Sequence, residues 1–380
     1  MKHLSSSTFL GPWVRLEGIA TSQLPPGAKG NEPSNQTSAS PEFFHDPGSA
    51  PAPDIKSFIT SVLSESIPFI DGVAPKSGGP TTWKVNGSPK KYSSSTAPVH
   101  LYECTVLGKE LDKLEGMSQY SADRKDETWF CRRSVHKDAA EEGTANFDEF
   151  KHNFKEHHAE SEVAFTPTVI DRRDAMRWDT SGIEVEVRGG LWNNITVVVE
   201  EMKHKIDPKP LKNRTFPVIQ IAAALEGTRE FIFVSIPVHN FDKSPYAEFA
   251  LDKALVVAAY VSIERIRVLP TNGDIEWVMA TAANAKGVLP QWMQNLAVPG
   301  AIGKDVELFM SWIPSQRHTN PVPAPISKSG PQKTLPRAPA SSNDNNDTNT
   351  THPPISKAGT KPSAMGIDSS NKELPAAPAQ

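Results

Sequence analysis

The hydrophobic positions of this chain are concentrated in its central part. From Val99 to about Ser315, short runs rich in β-branched and aromatic residues alternate with polar ones, and this pattern predicts half-buried β-strands. The predicted strands are residues 127–136, 195–204, 214–224, 229–238, 256–269 and 274–282. Turn-forming residues such as Glu226-Gly227 and Asn272-Gly273 join the later strands. We therefore predict that the last four strands form an antiparallel meander.

Three segments repeat apolar residues at helical spacing. Asp54 can cap a first helix that continues to Ile70, and Asn146 can cap a second helix over residues 147–159. A third helix is predicted from Pro290 to Trp312, with a kink or restart at Pro299. Its apolar stripe needs a surface to cover, and the concave side of a curved sheet provides one.

The two ends of the chain carry too little apolar surface to offset the entropy of ordering them. Many of the 34 prolines lie there, among Ser, Asn and Gly. We predict a mostly disordered segment over residues 1–53, a folded domain over 54–316 with a flexible loop at 71–98, and a disordered tail over 317–380. The tail repeats Pro-Ile-Ser-Lys at 325–328 and 354–357, either as low complexity or as a motif that docks partner proteins.

Composition and charge exclude several classes of protein. A net charge of −4 gives no attraction for nucleic acid. Cys104 and Cys131 alone provide neither a disulfide framework nor a zinc site, which favours a reducing compartment. The longest apolar run, 254–261, is far below the ~20 residues that cross a bilayer, and Gly11 and Pro12 interrupt any signal peptide. These features predict a cytoplasmic monomer, with transient contact to membrane surfaces as an alternative state.

The motifs that suggest metal, phosphate or nucleophile chemistry are weak. His152 and His157 are five residues apart, which in an α-helix does not present two ligands side by side. The segment 300–304 has glycine spacing too short for a phosphate loop. Cys131 lies on a predicted strand, where packing is favoured over reactivity. The sequence therefore predicts no metal and no cofactor.

The beginning of the third helix carries a motif of a known family. Gly287-Val-Leu-Pro-Gln-Trp-Met-Gln-Asn295 resembles the Gly-x-Leu-Pro-x-Trp-x-x-Asn motif that opens the C-terminal helix of START lipid-transfer domains. Arg177-Trp178-Asp179 resembles their Arg-x-Trp-Asp element, and Asn213-Arg-Thr-Phe216 stands where they carry Arg-Asp-Phe. Thr215 departs from the aspartate of that pattern.

A closer similarity is to DUF3074, a family of uncharacterised fungal proteins with a START-like domain. It extends from about Ile55 to Trp312, and its clearest stretches are 129–136, 201–204, 260–265, 275–281 and 297–302. The resemblance implies an α+β, START-like helix-grip fold in which a curved antiparallel sheet grips a long C-terminal helix. It also implies an internal cavity for a lipid or another hydrophobic ligand, without naming that ligand.

The predicted cavity residues come from the strands and the helix that would enclose it. Even-numbered residues from Tyr260 to Glu264 share one face of their strand and odd-numbered ones share the other, but alternation does not say which face points inward. Charged candidates, including Arg133 and Arg265, could instead lie on a solvated face or in structural ion pairs. The predicted ligand-binding residues are Phe216, Val218, Phe233, Ser235, Tyr260, Ser262, Glu264, Glu276, Trp292, Met293, Leu296, Ile302 and Phe309.

The loop over residues 239–253 contains three aromatic side chains, Phe241, Tyr246 and Phe249. We interpret these as candidates for a mobile flap at the cavity mouth that touches the bilayer. The alternative is a surface loop that its aromatic residues anchor.

Three functions are compatible with the sequence. The leading one is a carrier or sensor of a lipid. The second is a helix-grip enzyme of the cyclase or hydrolase kind, with an acid–base pair such as Glu264 and His136 in the same cavity. The third is an adaptor, in which the tail recruits other proteins.

Overall fold

The computed structural model describes residues 11–31, 52–73, 81–114, 124–287 and 291–319. The α-helices are α1 (Ile55–Asp71), α2 (Gly108–Leu111), α3 (Phe147–Lys151), α4 (His158–Phe165) and α5 (Gln291–Thr319). The strands are β1 (Lys29–Gly30), β2 (Lys84–Val85), β3 (His100–Val106), β4 (Glu127–His136), β5 (Val169–Arg177), β6 (Val185–Val187), β7 (Gly190–His204), β8 (Arg214–Leu225), β9 (Glu230–Pro237), β10 (Val256–Val257), β11 (Ala259–Val268) and β12 (Ile275–Asn284). Within the described ranges, none of the helices combines the length and apolar character needed to cross a bilayer.

The strands form one large curved sheet. Its order is β1-β5-β7-β8-β9-β11-β12-β4-β3-β2, with β6 paired to β7 and β10 paired in parallel to β8. Neighbours along the main path are antiparallel, and β8, β9, β11 and β12 follow one another as the predicted meander. The predicted strand 256–269 is divided into two strands, β10 and β11. The first pairs with the beginning of β8, and the second pairs with β9.

Different helices cover the two faces of this sheet. The face that we call the α1 face packs against α1 and the segment 11–31, and it carries Val261 and Ile263 of β11. The opposite face, the α5 face, packs against α3, α4 and α5, and it carries Ile266 of β11 and Trp277 of β12. Period-two alternation therefore places Tyr260, Ser262 and Glu264 on the α5 face.

Helix α5 lies along the α5 face, which confirms the predicted helix-grip architecture. It runs from Gln291 to Thr319 and passes through Pro299 and Pro314, so it extends seven residues beyond the predicted end at Trp312 (319 − 312 = 7). Its buried side chains recur at helical spacing and pack on a core that includes Trp277. They are Ile302, Val306, Phe309, Met310 and Ile313.

The predicted helix 147–159 is interrupted. The capping box at Asn146 and Glu149 opens it as expected, but residues His152–Glu156 form a π-helical turn before α4 begins at His158. The Asn153 side chain donates a hydrogen bond to the carbonyl of Glu149 at 2.8 Å, and Ser161 donates to Asn153 at 2.9 Å. Such side-chain bonds compete with the regular helical ladder and favour a local change of winding.

Part of the segment predicted as mostly disordered packs against the domain. Val14 and Ile19 are buried in the core of the α1 face, and Arg15 forms a buried ion pair with Glu127 at 3.1 Å. The expectation of disorder therefore does not extend to residues 11–31. In the loop predicted to be flexible, Trp83 is likewise buried. Apart from residues 317–319, the predicted tail lies outside the described residues.

Candidate functional site

Five ionisable side chains meet on the α5 face. Arg132 comes from β4, Glu264 from β11, His158 and Glu162 from α4, and Asp305 from α5; we call them the Glu264 cluster. Arg132 donates a hydrogen bond to Glu264 at 2.9 Å, and His158 Nε2 lies 3.4 Å from the other carboxylate oxygen of Glu264. Asp305 lies 3.8 Å from Arg132 Nε, and Glu162 lies 3.9 Å from His158 Nδ1.

Sheet register brings the two central members together. Met279 of β12 is paired with Arg132 on one side and with Glu264 on the other. The three residues therefore form one row across the sheet, and residues in one row project from the same face. The indole of Trp277 donates a further hydrogen bond to Glu264 at 2.6 Å. Arg132 also stacks on the Trp277 ring, 4.0 Å from its centroid.

The π-helical turn determines the position of His158 in the Glu264 cluster. Because α4 restarts at His158, this imidazole lies flat on the Phe233 ring, with centroids 3.8 Å apart and planes inclined by 5°. The same turn brings His152 and His157 together, with ring centroids 4.6 Å apart. A separation of five residues thus places side chains side by side where the helix is wound as a π-turn. Among the described residues, however, no group of three His, Cys, Asp or Glu side chains could hold a metal ion.

The protonation states of the central pair follow from their contacts. Burial raises the pKa of Glu264, but the hydrogen bond from His158 and the charge of Arg132 outweigh burial and leave that pKa lowered. Burial lowers the pKa of His158, but the charge of Glu162 and the bond to Glu264 outweigh it and leave that pKa raised. These contacts therefore favour an ionised Glu264 and a protonated His158.

The two peripheral carboxyl groups behave differently. Burial, opposed by the charge of Arg132 and assisted by the charges of Glu162 and Glu264, raises the pKa of Asp305 to about 7. Burial also raises the pKa of Glu162, although His158 opposes this shift. Yet the two side chains keep 27% and 29% of their surface accessible. Both carboxyl groups are therefore largely enclosed by protein and still partly accessible.

Half-buried residues of the central strands continue this recess. Tyr260, Ser262 and Met279 lie on the α5 face with part of their surface accessible, although α4 and α5 cover that face. Tyr260 faces Ser235 and Gln220, and its ring meets Phe216 with centroids 5.4 Å apart. We call the half-buried part of the α5 face that carries Glu162, Tyr260, Ser262, Met279 and Asp305 the α5 recess.

Several buried polar atoms around the α5 recess have no hydrogen-bond partner within the described part of the chain. They are Nε and the first terminal nitrogen of Arg132 and Nδ1 of His158. Each buried donor without a partner costs about 1–3 kcal/mol, so such atoms are rare in a core built only for stability. Their concentration here indicates a polar site inside the domain.

Most of the predicted cavity residues lie on the α5 face or on the buried side of α5. The side chains of Trp292 and Met293 lie outside the described residues. The α5 face carries Phe216, Val218, Phe233, Ser235, Tyr260, Ser262 and Glu264, and the buried side of α5 carries Ile302 and Phe309.

Two predicted cavity residues require correction. Glu276 lies on the α1 face, because it is one residue away from Trp277 on β12, and there it pairs with Arg133 at 2.6 Å and Arg267 at 2.7 Å. Leu296 is 75% exposed, so it points away from the core that α5 covers. Leu296 is exposed because the buried residues of α5 lie on the side of the helix that carries Ile302.

The predicted flap residues also lie elsewhere. Phe241 is fully buried in the core of the α1 face, and Tyr246 packs against the same core. Phe249 lies under Lys203, whose Nζ is 5.2 Å from the ring centroid. Lys203 follows Met202 on β7 and therefore projects from the opposite face, away from the α5 face. The loop is therefore a surface loop anchored by its aromatic side chains, and these three residues do not border the α5 recess.

The acid–base pair suggested for an enzyme is not assembled. The imidazole of His136 shares a hydrogen bond of 2.8 Å with Ser134, while Glu264 is bonded to Arg132, His158 and Trp277. Burial lowers the pKa of His136 to about 3, which leaves it neutral.

Four members of the Glu264 cluster were not predicted from the sequence. Two of them had a usable signal: Asp305 falls inside the apolar stripe of α5, between Ile302 and Phe309, and Arg132 alternates with Phe130 on β4. A charge at a position that the hydrophobic period assigns to the core indicates either an ion pair or a site. His158 and Glu162 gave no such signal, because the π-helical turn changes which residues face the sheet.

Comparison with known families matches residues 129–313 to a family described as "Protein of unknown function (DUF3074)". The match covers the sheet from β4 to β12 and most of α5, and with it every member of the Glu264 cluster. The resemblance to DUF3074 seen in the sequence is thereby confirmed over these residues. No curated protein matches the chain.

Three solved structures are similar to part of this chain. Human STARD10 is 17% identical, with a TM-score of 0.44, and the alignment covers 72% of this chain and 85% of that one. Human StAR-related lipid transfer protein 5 is 10% identical, with a TM-score of 0.43 and coverage of 70% and 98%. A STAR-related lipid transfer protein from Xanthomonas axonopodis is 13% identical, with a TM-score of 0.36 and coverage of 63% and 99%.

Proposed function

We propose that this chain, which carries a DUF3074 domain, binds a single hydrophobic ligand such as a lipid in the α5 recess. The observation that carries the proposal is the Glu264 cluster: desolvated carboxyl groups that remain accessible beside a row of half-buried residues beneath α4 and α5. The partial accessibility of Tyr260 and Ser262 beneath these helices supports a space for a ligand.

The recess has an apolar wall as well as a polar end. Along β11, the polar end at Glu264 is followed by Ser262 and Tyr260, and then by Ala258 in an apolar cluster. Six residues of strand at about 3.3 Å each span roughly 20 Å, which is enough to accommodate an extended aliphatic segment. The other members of that apolar cluster are Ala159, Val169, Met202, Phe216 and Val218.

Burial of an alkyl chain supplies the driving force in this proposal. A chain of ~16 methylenes gains roughly 13 kcal/mol on leaving water, at ~0.8 kcal/mol each. A bilayer provides a similar gain, so the ligand exchanges reversibly with membranes and the polar end determines which ligand is retained. Carriage between membranes and sensing of a lipid are both consistent with this exchange. Contact with a membrane and recruitment of proteins by the tail remain predictions from the sequence.

The proposal is tested by filling the recess. Ser262→Phe places a ring on the α5 face, and we expect uptake of a fluorescent lipid by the full chain to fall by at least about tenfold. Val85→Phe, at a position that is 71% exposed, is the matched control and should retain full uptake. Thermal melting of both variants checks that each is folded. Undiminished uptake by a folded Ser262→Phe variant contradicts a ligand in this recess.

Native mass spectrometry of the purified full chain provides a second measurement. We expect a mass above that of the chain, which organic denaturation releases as a lipid-sized molecule. A chain that never acquires such mass, even after incubation with vesicles, contradicts the proposal.

A further inference from the structure

Two carboxyl groups border the α5 recess without a hydrogen-bonded cation. The nearest basic nitrogens lie 3.8 Å from Asp305 and 3.9 Å from Glu162, and no hydrogen bond to either carboxyl is present within the described ranges. Both side chains keep more than a quarter of their surface accessible. These two groups are therefore the ionisable part of the cluster that a ligand in the recess can touch.

The basic groups of the cluster are already engaged. Arg132 and His158 both bind Glu264, from opposite oxygens of the same carboxylate. When Glu162 and Asp305 are ionised, the Glu264 cluster therefore contains two positive and three negative groups. One negative charge is then in excess. An excess charge in a desolvated place is costly unless a counter-charge joins it.

A separate observation indicates that this is a site for a ligand rather than a group of surface acids. Arg132 is 2% exposed and directs an unpartnered Nε toward Asp305, while His158 directs an unpartnered, buried Nδ1 toward Glu162. Buried polar groups arranged in this way are typical of ligand-binding pockets in otherwise apolar surroundings.

We infer that the ligand of the α5 recess is an amphiphile whose polar end is a protonated amine, bound by Glu162 and Asp305. The inference rests on the proposed function and specifies its ligand class. An ammonium group offers three donors and one positive charge, so it can donate hydrogen bonds to carboxylate oxygens and cancel the excess charge. A hydroxyl group donates only one hydrogen bond and leaves the charge uncompensated. An anionic end would add to the excess charge and face two carboxylates.

The experiment compares three amphiphiles with the same tail. Dodecylamine, dodecanol and dodecanoate are titrated at pH 8, above the pKa of about 7 of Asp305, against the full chain loaded with an uncharged fluorescent lipid. We expect the amine to displace the probe at a concentration at least about tenfold lower than the alcohol, with dodecanoate the weakest. Equal displacement by the alcohol, or tighter binding of dodecanoate, overturns the inference while leaving the proposed function intact. Failure of every amphiphile and of the probe itself to bind overturns both.

Matched variants assign the preference to the two carboxyl groups. Glu162→Gln and Asp305→Asn should each bring the affinity for the amine close to that for the alcohol, with the affinity for the alcohol unchanged. The controls lie two residues away on the same helices: Glu160→Gln on α4, an exposed residue that pairs with Arg172, and Glu307→Gln on α5. Both controls should retain the wild-type preference. A preference for the amine that survives in the folded Glu162→Gln and Asp305→Asn variants contradicts the assignment.

Discussion

The two faces of the sheet both bury charged residues, but they satisfy them to different degrees. On the α1 face, Glu127 accepts hydrogen bonds from the Arg15 guanidinium, the Leu16 backbone and the Trp129 indole, all at 2.8–3.1 Å. On the α5 face, Asp305 and Glu162 have only distant cations, and Arg132 retains unpartnered nitrogens. Burial of a charge therefore does not by itself indicate a functional site. What distinguishes the α5 face is that its charged groups are incompletely paired and lie beside accessible surface.

The comparison predicts that removing a carboxylate charge destabilises the protein on the α1 face and stabilises it on the α5 face. The largest change in the free energy of unfolding is expected on the α1 face. Glu127→Gln leaves the buried Arg15 without its carboxylate, because the two side chains are 6% and 2% exposed. Breaking a buried ion pair costs about 3–5 kcal/mol, so we expect the free energy of unfolding to fall by that amount. Denaturant titration measures it. A loss below about 1 kcal/mol would show that the two faces do not differ in this respect.

On the α5 face, removal of a charge should stabilise the protein. Burial raises the pKa of Asp305 to about 7, so the carboxyl must ionise against a penalty in the folded state once the pH rises above its ordinary pKa of 3.8. The penalty is absent below that pH, grows between the two values and is constant above 7. Asp305→Asn should therefore stabilise the ligand-free chain by about 1–2 kcal/mol at pH 8, reduced for the 27% accessibility of the side chain, and not at pH 4.

Denaturant titrations of wild type and Asp305→Asn at the two pH values give this difference directly. Glu307→Gln on the same helix serves as the control and should show no such pH dependence. If Asp305→Asn were destabilising at pH 8, the carboxylate would be well paired, and the contrast between the two faces would disappear.

The smallest effect is expected at the outer side of α5. Leu296→Ser changes a side chain that is 75% exposed, so the melting temperature should move by no more than about 1–3 °C, within the range of ordinary surface substitutions. Ile302→Ser, on the buried side of the same helix, should lower it markedly. Similar shifts for both variants would place Leu296 in the core and contradict the orientation of α5.

Local sequence signals determined much of the fold. The strand predicted at 127–136 coincides with β4, and the predicted segment 195–204 is the second part of β7. Asp54 accepts a hydrogen bond from the Ser57 backbone, as a helix-capping residue does. Strands β3 and β5 were missed, since β5 is rich in charged residues that favour no strand by themselves. Residues 11–31 were missed because their few apolar side chains are each buried by other parts of the chain.

The sequence by itself determined strands β4, β7, β8, β9, β11 and β12, the helix caps, the apolar stripe of α5 from Ile302 onward and the resemblance to a known family, whose model matches residues 129–313. Only the tertiary structure decided which face of each strand points toward α5, because alternation defines two faces without saying what covers them. It also assembled the Glu264 cluster, in which Arg132 and Glu264 are 132 residues apart and meet through sheet register. Contacts at that separation depend on the positions of whole elements, and no local pattern encodes them.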